Sequence, residues 1–227
     1  MFCSIFRKIK LILFLSIIIS LFSCTVVKHD KQDSGKGDEV TFYFENEDFD
    51  AANYVAENWE TRILPKILEN AHDLDFVIRQ LQSDRNQAEK SLGIRKEETS
   101  PFSFMVRGKF PIQSIDRTSS AGIMFLDIPD LSGVNYCRVQ IGPIIKKSMI
   151  RDALSFIQFG DFSNQIEFAN ISREINFYIR DNVLNVVDDS YSAGKIVELF
   201  GVFTFDKSGG ILITPVSINL EAGENDG

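Results

Sequence analysis

Cysteine is scarce in this chain: Cys3, Cys24 and Cys137 are all there is in 227 residues. The first two lie in or beside the N-terminal apolar segment, so the body of the chain keeps one. A single thiol makes no intrachain disulfide, and stability has to come from a packed core. Histidine is scarcer still, with His29 and His72 only. No phosphate-binding glycine loop, G-x-S-x-G elbow, H-E-x-x-H helix, C-x-x-C pair or EF-hand loop is present, and no metal or cofactor is assigned. Positive charge is short as well. The formal net charge is −8, and loss of Arg7, Lys8 and Lys10 with a leader takes it to −11. Without a Lys/Arg stripe, nucleic acid is excluded as a partner, and anionic headgroups offer no attraction. Long hydrophobic runs are absent but for Leu11–Phe22. Its twelve residues fall short of the roughly 20 that a membrane span needs.

That short run is itself informative. Preceded by three cations and followed by Leu21-Phe22-Ser23-Cys24, it reads as a lipoprotein signal peptide over residues 1–23. Cys24 then takes a diacylglycerol on its thiol and becomes the acylated N-terminus. Phe22 is bulkier than is usual at its place, and a plain secretory leader is the alternative. Acyl chains hold a protein at a bilayer by about 0.8 kcal/mol per buried methylene. Residues 24–39 are polar and charged, and read as a flexible tether.

The rest, roughly 200 residues in a chain with 44% hydrophobic composition, is long enough to bury a core. Val40–Glu45 alternates as a strand. Asp50 caps a helix carrying Ala51, Val55, Trp59 and Ile63, and Pro65 is expected to kink it or start another. The apolar stripe continues through Leu81, and a third helix ends at Gly93, expected as its C-cap. Residues 40–95 thus form a helical N-terminal part. Trp59 is either a core anchor or a stacking platform for a sugar. Lys96–Pro101 is a charged break, after which the period changes to two. Strands are expected at 102–115 (interrupted at Gly108 and Pro111), 122–128 and 134–141. Helices follow in an insertion spanning 147–185, then strands at 195–205 and 211–220 joined at Ser208-Gly209-Gly210. The expected class is α+β, with N-terminal helices packed on an OB-like antiparallel β-barrel over 96–227. Its order is β-β-β-α-β-β with a helical insertion. A generic antiparallel α+β sheet is the alternative. Cys137 alternates inward and reads as an inert core thiol.

The polar residues concentrate in Gln140–Phe168. Arg151, Asp152, Asp161, Asn164, Gln165 and Glu167 alternate there with Ile150, Leu154, Ile157 and Phe159. Polar groups buried in such a segment need partners, so it is a structural hub or a ligand-binding site. Arg151 and Asp152 project about 100° apart on a helix, so Arg151 is expected to pair with Asp161 or Glu167 instead. Asp161 reads as the N-cap of the following helix, with Asn164 and Gln165 serving nearby backbone. A carboxylate-based hydrolase built on Asp152 with Asp161 or Glu167 needs the two about 5–10 Å apart across a cleft. That is the less favoured reading.

The segment GPIIKKSMIRDALSFIQFGDFSNQIEF, with its G-P-hydrophobic run, R-D pair and D-F-x-N-Q run, resembles bacterial periplasmic lipoproteins grouped as domain of unknown function 2291. The resemblance runs from about residue 49 to residue 218 and implies an envelope lipoprotein without established chemistry. It also implies a place beside a sugar ABC importer, with the transporter or its binding protein as partner. Two functions follow as expectations: a non-catalytic accessory protein, or a direct binder of a small carbohydrate-type ligand through the 140–168 segment.

Overall fold

A computed structural model describes residues 49–129, 134–205 and 209–221. The expected strand at 40–45, the signal peptide, Cys24, the tether and Ser208 lie outside the described residues.

The helical part begins at α1 (Ala51–Asn58), where the Asp50 carboxylate accepts the Asn53 N–H at 2.9 Å. The helix does not stop at Pro65. It widens into a π turn over Trp59–Ile63, with the Leu64 N–H reaching the Trp59 carbonyl, and continues as α2 (Leu64–Asn70). Proline lacks an N–H and its ring crowds the carbonyl four residues back, so the wider turn before it relieves both. After the two-residue strand β1 (His72–Asp73) come α3 (Leu74–Ser83) and α4 (Arg85–Leu92), the latter capped by Asp84. Gly93 is the C-cap of α4, as expected, with its N–H on the Glu89 carbonyl. Its backbone is extended (φ −89°), and it opens the two-residue strand β2 (Gly93–Ile94). Glycine suits the place for space: a Cβ there would come within 2.7 Å of the Glu89 carbonyl oxygen and the Phe102 ring.

The sheet closes on itself. Five strands, β3 (Ser103–Asp116), β4 (Ile123–Leu126), β5 (Cys137–Gln140), β6 (Ile196–Phe205) and β7 (Ile211–Leu220), pair in the ring β3-β4-β5-β7-β6-β3. All pairings in the ring are antiparallel except β5 with β7. This is the OB-type barrel expected from the element order. Closure depends on β3, whose first half (Phe104–Pro111) pairs with β6 and whose second half (Ile112–Asp116) pairs with β4. Gly108 and Pro111 do not interrupt it, contrary to expectation; they let it bend. A Cβ on Gly108 would strike the Phe110 ring at 2.3 Å, and Pro111 sits where the strand changes partners. The edge of β3 that β4 does not reach is covered by β1 and β2, so no long bare edge remains there.

Between β5 and β6 lies the insertion: α5 (Met149–Ala153), a 3₁₀ turn at Phe159–Asp161, and α6 (Gln165–Tyr178). A second π turn (Ile179–Val183) and a last 3₁₀ turn (Leu184–Val186) extend α6. One continuous apolar core joins the helices to the barrel, from Val55, Trp59 and Ile67 through Phe104 and Phe203 to Ile171 and Ile175. Phe104 and Phe203, opposite each other on β3 and β6, stack at 5.0 Å. Cys137 is buried in this core, and burial pushes its thiol well above its ordinary value.

Candidate functional site

The insertion is tied down at both ends. At its entry Gly142 presses against the β3–β4 loop, where a Cβ would meet the Ala121 carbonyl carbon at 2.2 Å. Buried Gln140 then clamps the following loop, accepting the Lys146 N–H at 2.8 Å and donating to Thr214 Oγ1 at 2.7 Å. Lys147 takes a left-handed φ of 70°, and the chain turns into α5.

α5 is only five residues long, and it carries the pair that matters most. Arg151 Nε and Nη2 donate to Asp152 Oδ1 at 3.0 and 2.7 Å. Arg151 Nη1 donates to the Phe168 carbonyl at 3.2 Å, and the guanidinium lies 4.0 Å over the centre of the Phe168 ring. The other oxygen of Asp152 accepts from Ser148 Oγ. The expectation that Arg151 reaches past its neighbour to Asp161 or Glu167 is therefore wrong. A 100° offset separates Cβ directions, but the arginine stem is long enough to fold back across it. The Phe168 ring and carbonyl hold it in that folded position.

The remaining polar residues of the segment do separate work. Asn164, not Asp161, caps α6: its Oδ1 accepts the N–H groups of Ile166 and Glu167, both at 2.9 Å. Buried Glu167 returns the favour by accepting the Ser163 N–H at 3.0 Å and an Asn164 amide N–H at 3.3 Å. Asp161 closes the 3₁₀ turn by accepting the Gln158 N–H at 2.8 Å. Gln165 is exposed in the first turn of α6. Trp59 is 2% exposed and stacked at 4.3 Å on Tyr178, beside a separate cavity of about 220 Å³, so its face is spent on the core.

Of the named residues, only Arg151 and Asp152 meet in one cleft. Its volume is about 550 Å³, and Lys96, Phe159 and Phe168 share its lining. Phe159 stands 55% exposed and edge-on to Phe168. Lys96 is the residue that sequence reasoning missed, because its run reads as a charged linker. Its ammonium donates to the carbonyls of Leu154 and Ile157 in the turn that follows α5, where Leu154 also accepts the Ile157 N–H at 3.3 Å. Partial burial lowers its pKa, while Asp152 pushes it back up. No local pattern marks Lys96; 58 residues separate it from Leu154.

The family profile of predicted periplasmic lipoproteins, domain of unknown function 2291, matches residues 14–219. The chain belongs to this family. It is thus an envelope lipoprotein facing the periplasm, and the matched region takes in Cys24. No match is found among curated proteins. Among solved structures, the chain is similar to an OB-fold protein from Thermotoga maritima. The two share 18% identity with a TM-score of 0.62, over 76% of this chain and 99% of that one. At that identity the likeness bears on the fold alone.

Proposed function

We propose that this family member is a non-catalytic module, tethered to the membrane through lipid on Cys24, that binds a small carbohydrate-type ligand in the Arg151–Asp152 cleft. The observation that carries this reading is the position of the pair. A guanidinium locked by a carboxylate, a carbonyl and an aromatic ring lines a cleft large enough for a sugar. Polar donors beside the exposed face of Phe159 suit a ring with one wet and one apolar face. The carboxylates nominated for hydrolysis support the non-catalytic reading. Asp152 uses both oxygens internally, Glu167 is buried in the first turn of α6, and Asp161 holds a turn. Work beside a sugar ABC importer or its binding protein is the role that the family resemblance supports for such a module.

A thermal-shift screen of protein beginning at Lys31 against pentoses, hexoses and nucleosides tests this. A sugar that raises the melting temperature of the native protein but not of Arg151→Ala is the expected result. Equal shifts in both proteins would remove the cleft from the account.

A further inference from the structure

We propose that the ligand of this cleft carries an oxyanion, a carboxylate or a phosphate, on its polyol frame. The inference rests on the binding reading above and narrows it to sugar acids and sugar phosphates. It follows from which hydrogen-bonding groups remain unspent. A guanidinium has five N–H donors and an ammonium three. Arg151 spends three, on Asp152 and the Phe168 carbonyl; Lys96 spends two, on the Leu154 and Ile157 carbonyls. Both residues therefore keep donors, and both line the cleft. The Asp152 carboxylate is nearer to full, with three of its roughly four acceptor places taken. Asp152 Oδ1 takes two bonds from Arg151 and Oδ2 one from Ser148, leaving Glu97 at the exposed rim as the other carboxylate of the lining.

A neutral sugar hydroxyl is both donor and acceptor, and sites for neutral sugars commonly present both kinds of partner. This lining carries three cations, Arg95, Lys96 and Arg151, against the two carboxylates of Glu97 and Asp152, with Ser100, Ser155 and Gln158 able to serve either role. Arg95 stands at the rim with its guanidinium 4.7 Å over the Phe102 ring and one N–H on the Glu98 carbonyl. Cations outnumber carboxylates here in a chain whose net charge is −8. The one N–H left on each of Nη1 and Nη2 of Arg151 suits an oxyanion, and Phe159 and Phe168 supply apolar surface for the carbon frame.

Calorimetric titration of the full-length lipoprotein in detergent tests this with four probes: glucose, gluconate, glucose 6-phosphate and inorganic phosphate. Either sugar anion should bind about tenfold or more tightly than glucose, and the advantage should shrink at high salt. Arg95→Gln, which removes one of the three cations of the lining, should weaken the anion about threefold and weaken it more than glucose. Equal affinity for glucose and both sugar anions overturns the oxyanion requirement while the binding reading stands. Inorganic phosphate binding as tightly as glucose 6-phosphate overturns the polyol frame. Absence of binding by all four probes overturns this inference, and with a blank sugar screen it removes the binding reading too.

Discussion

Replacing Arg151 with alanine removes one side chain from three partners at once. Its side chain is 14% exposed, so water does little to screen what is lost, whereas Asp152 is 32% exposed and can be rehydrated. A charged donor on the Phe168 carbonyl contributes about 1.5 kcal/mol, and the guanidinium over the Phe168 ring about 0.5–1 kcal/mol. Stranding Asp152 adds about 1 kcal/mol, less than the 3–5 kcal/mol for a fully buried pair, because Ser148 still donates to it. The sum, about 3 kcal/mol, lowers the melting temperature by about 6–12 °C for a domain of this size. Arg151→Lys keeps the charge but loses the fork and the ring contact, so its loss should be about half as large. Circular dichroism melts of protein beginning at Lys31 read both. A melting temperature for Arg151→Ala within about 1 °C of wild type would refute the reasoning, since the three contacts would then hold nothing together.

Cys24→Ser should abolish incorporation of labelled palmitate in growing cells and release the protein from membranes; retained label would place the lipid elsewhere. Burial raises the Cys137 thiol from an ordinary value of 9.0, so above pH 9 the folded state keeps a proton that the unfolded chain gives up. Stability should therefore fall as pH rises, by about 1.4 kcal/mol per pH unit from this group. Tyr54, Tyr178 and Tyr191, also raised by burial, add to the fall above pH 10, while Lys96 with its lowered value opposes it. Urea unfolding at pH 8, 9 and 10 should show a shallower slope for Cys137→Ala, and an unchanged slope would mean the thiol ionises in the fold. Gly142→Ala forces a Cβ against the Ala121 backbone and should cost about 2 kcal/mol or more, seen as a lower urea midpoint.

The barrel was legible because its strands carry their own signal. Alternation, the glycines near bends and the helical excursion before β6 define an OB-type order without any tertiary information. β1 and β2 were not, since two residues hold no period; they exist because β3 offers an uncovered edge. The π turn before Pro65 was half visible: proline announces a disturbance but not its form. In the insertion, the polar cluster was found and its wiring was not. Angular positions on an ideal helix say little about a five-residue helix bearing a long side chain, and they point Arg151 at the wrong carboxylate. Asp161 and Asn164 both suit an N-cap, and the 3₁₀ turn takes the first and leaves the second for α6. Lys96 lay hidden because a lysine in a charged run looks solvated until the fold sets carbonyls beside it.

The claim that the Arg151 cleft is the binding site is tested most directly by nitrogen–proton correlation spectra of labelled protein at saturating sugar anion. Backbone amides of residues 95–97, 151–152 and 158–160 should shift most, together with the Arg151 Nε–H, which now donates to Asp152. Shifts centred instead on the outer face of β4 and β5, with the Arg151 signal unmoved, would contradict it.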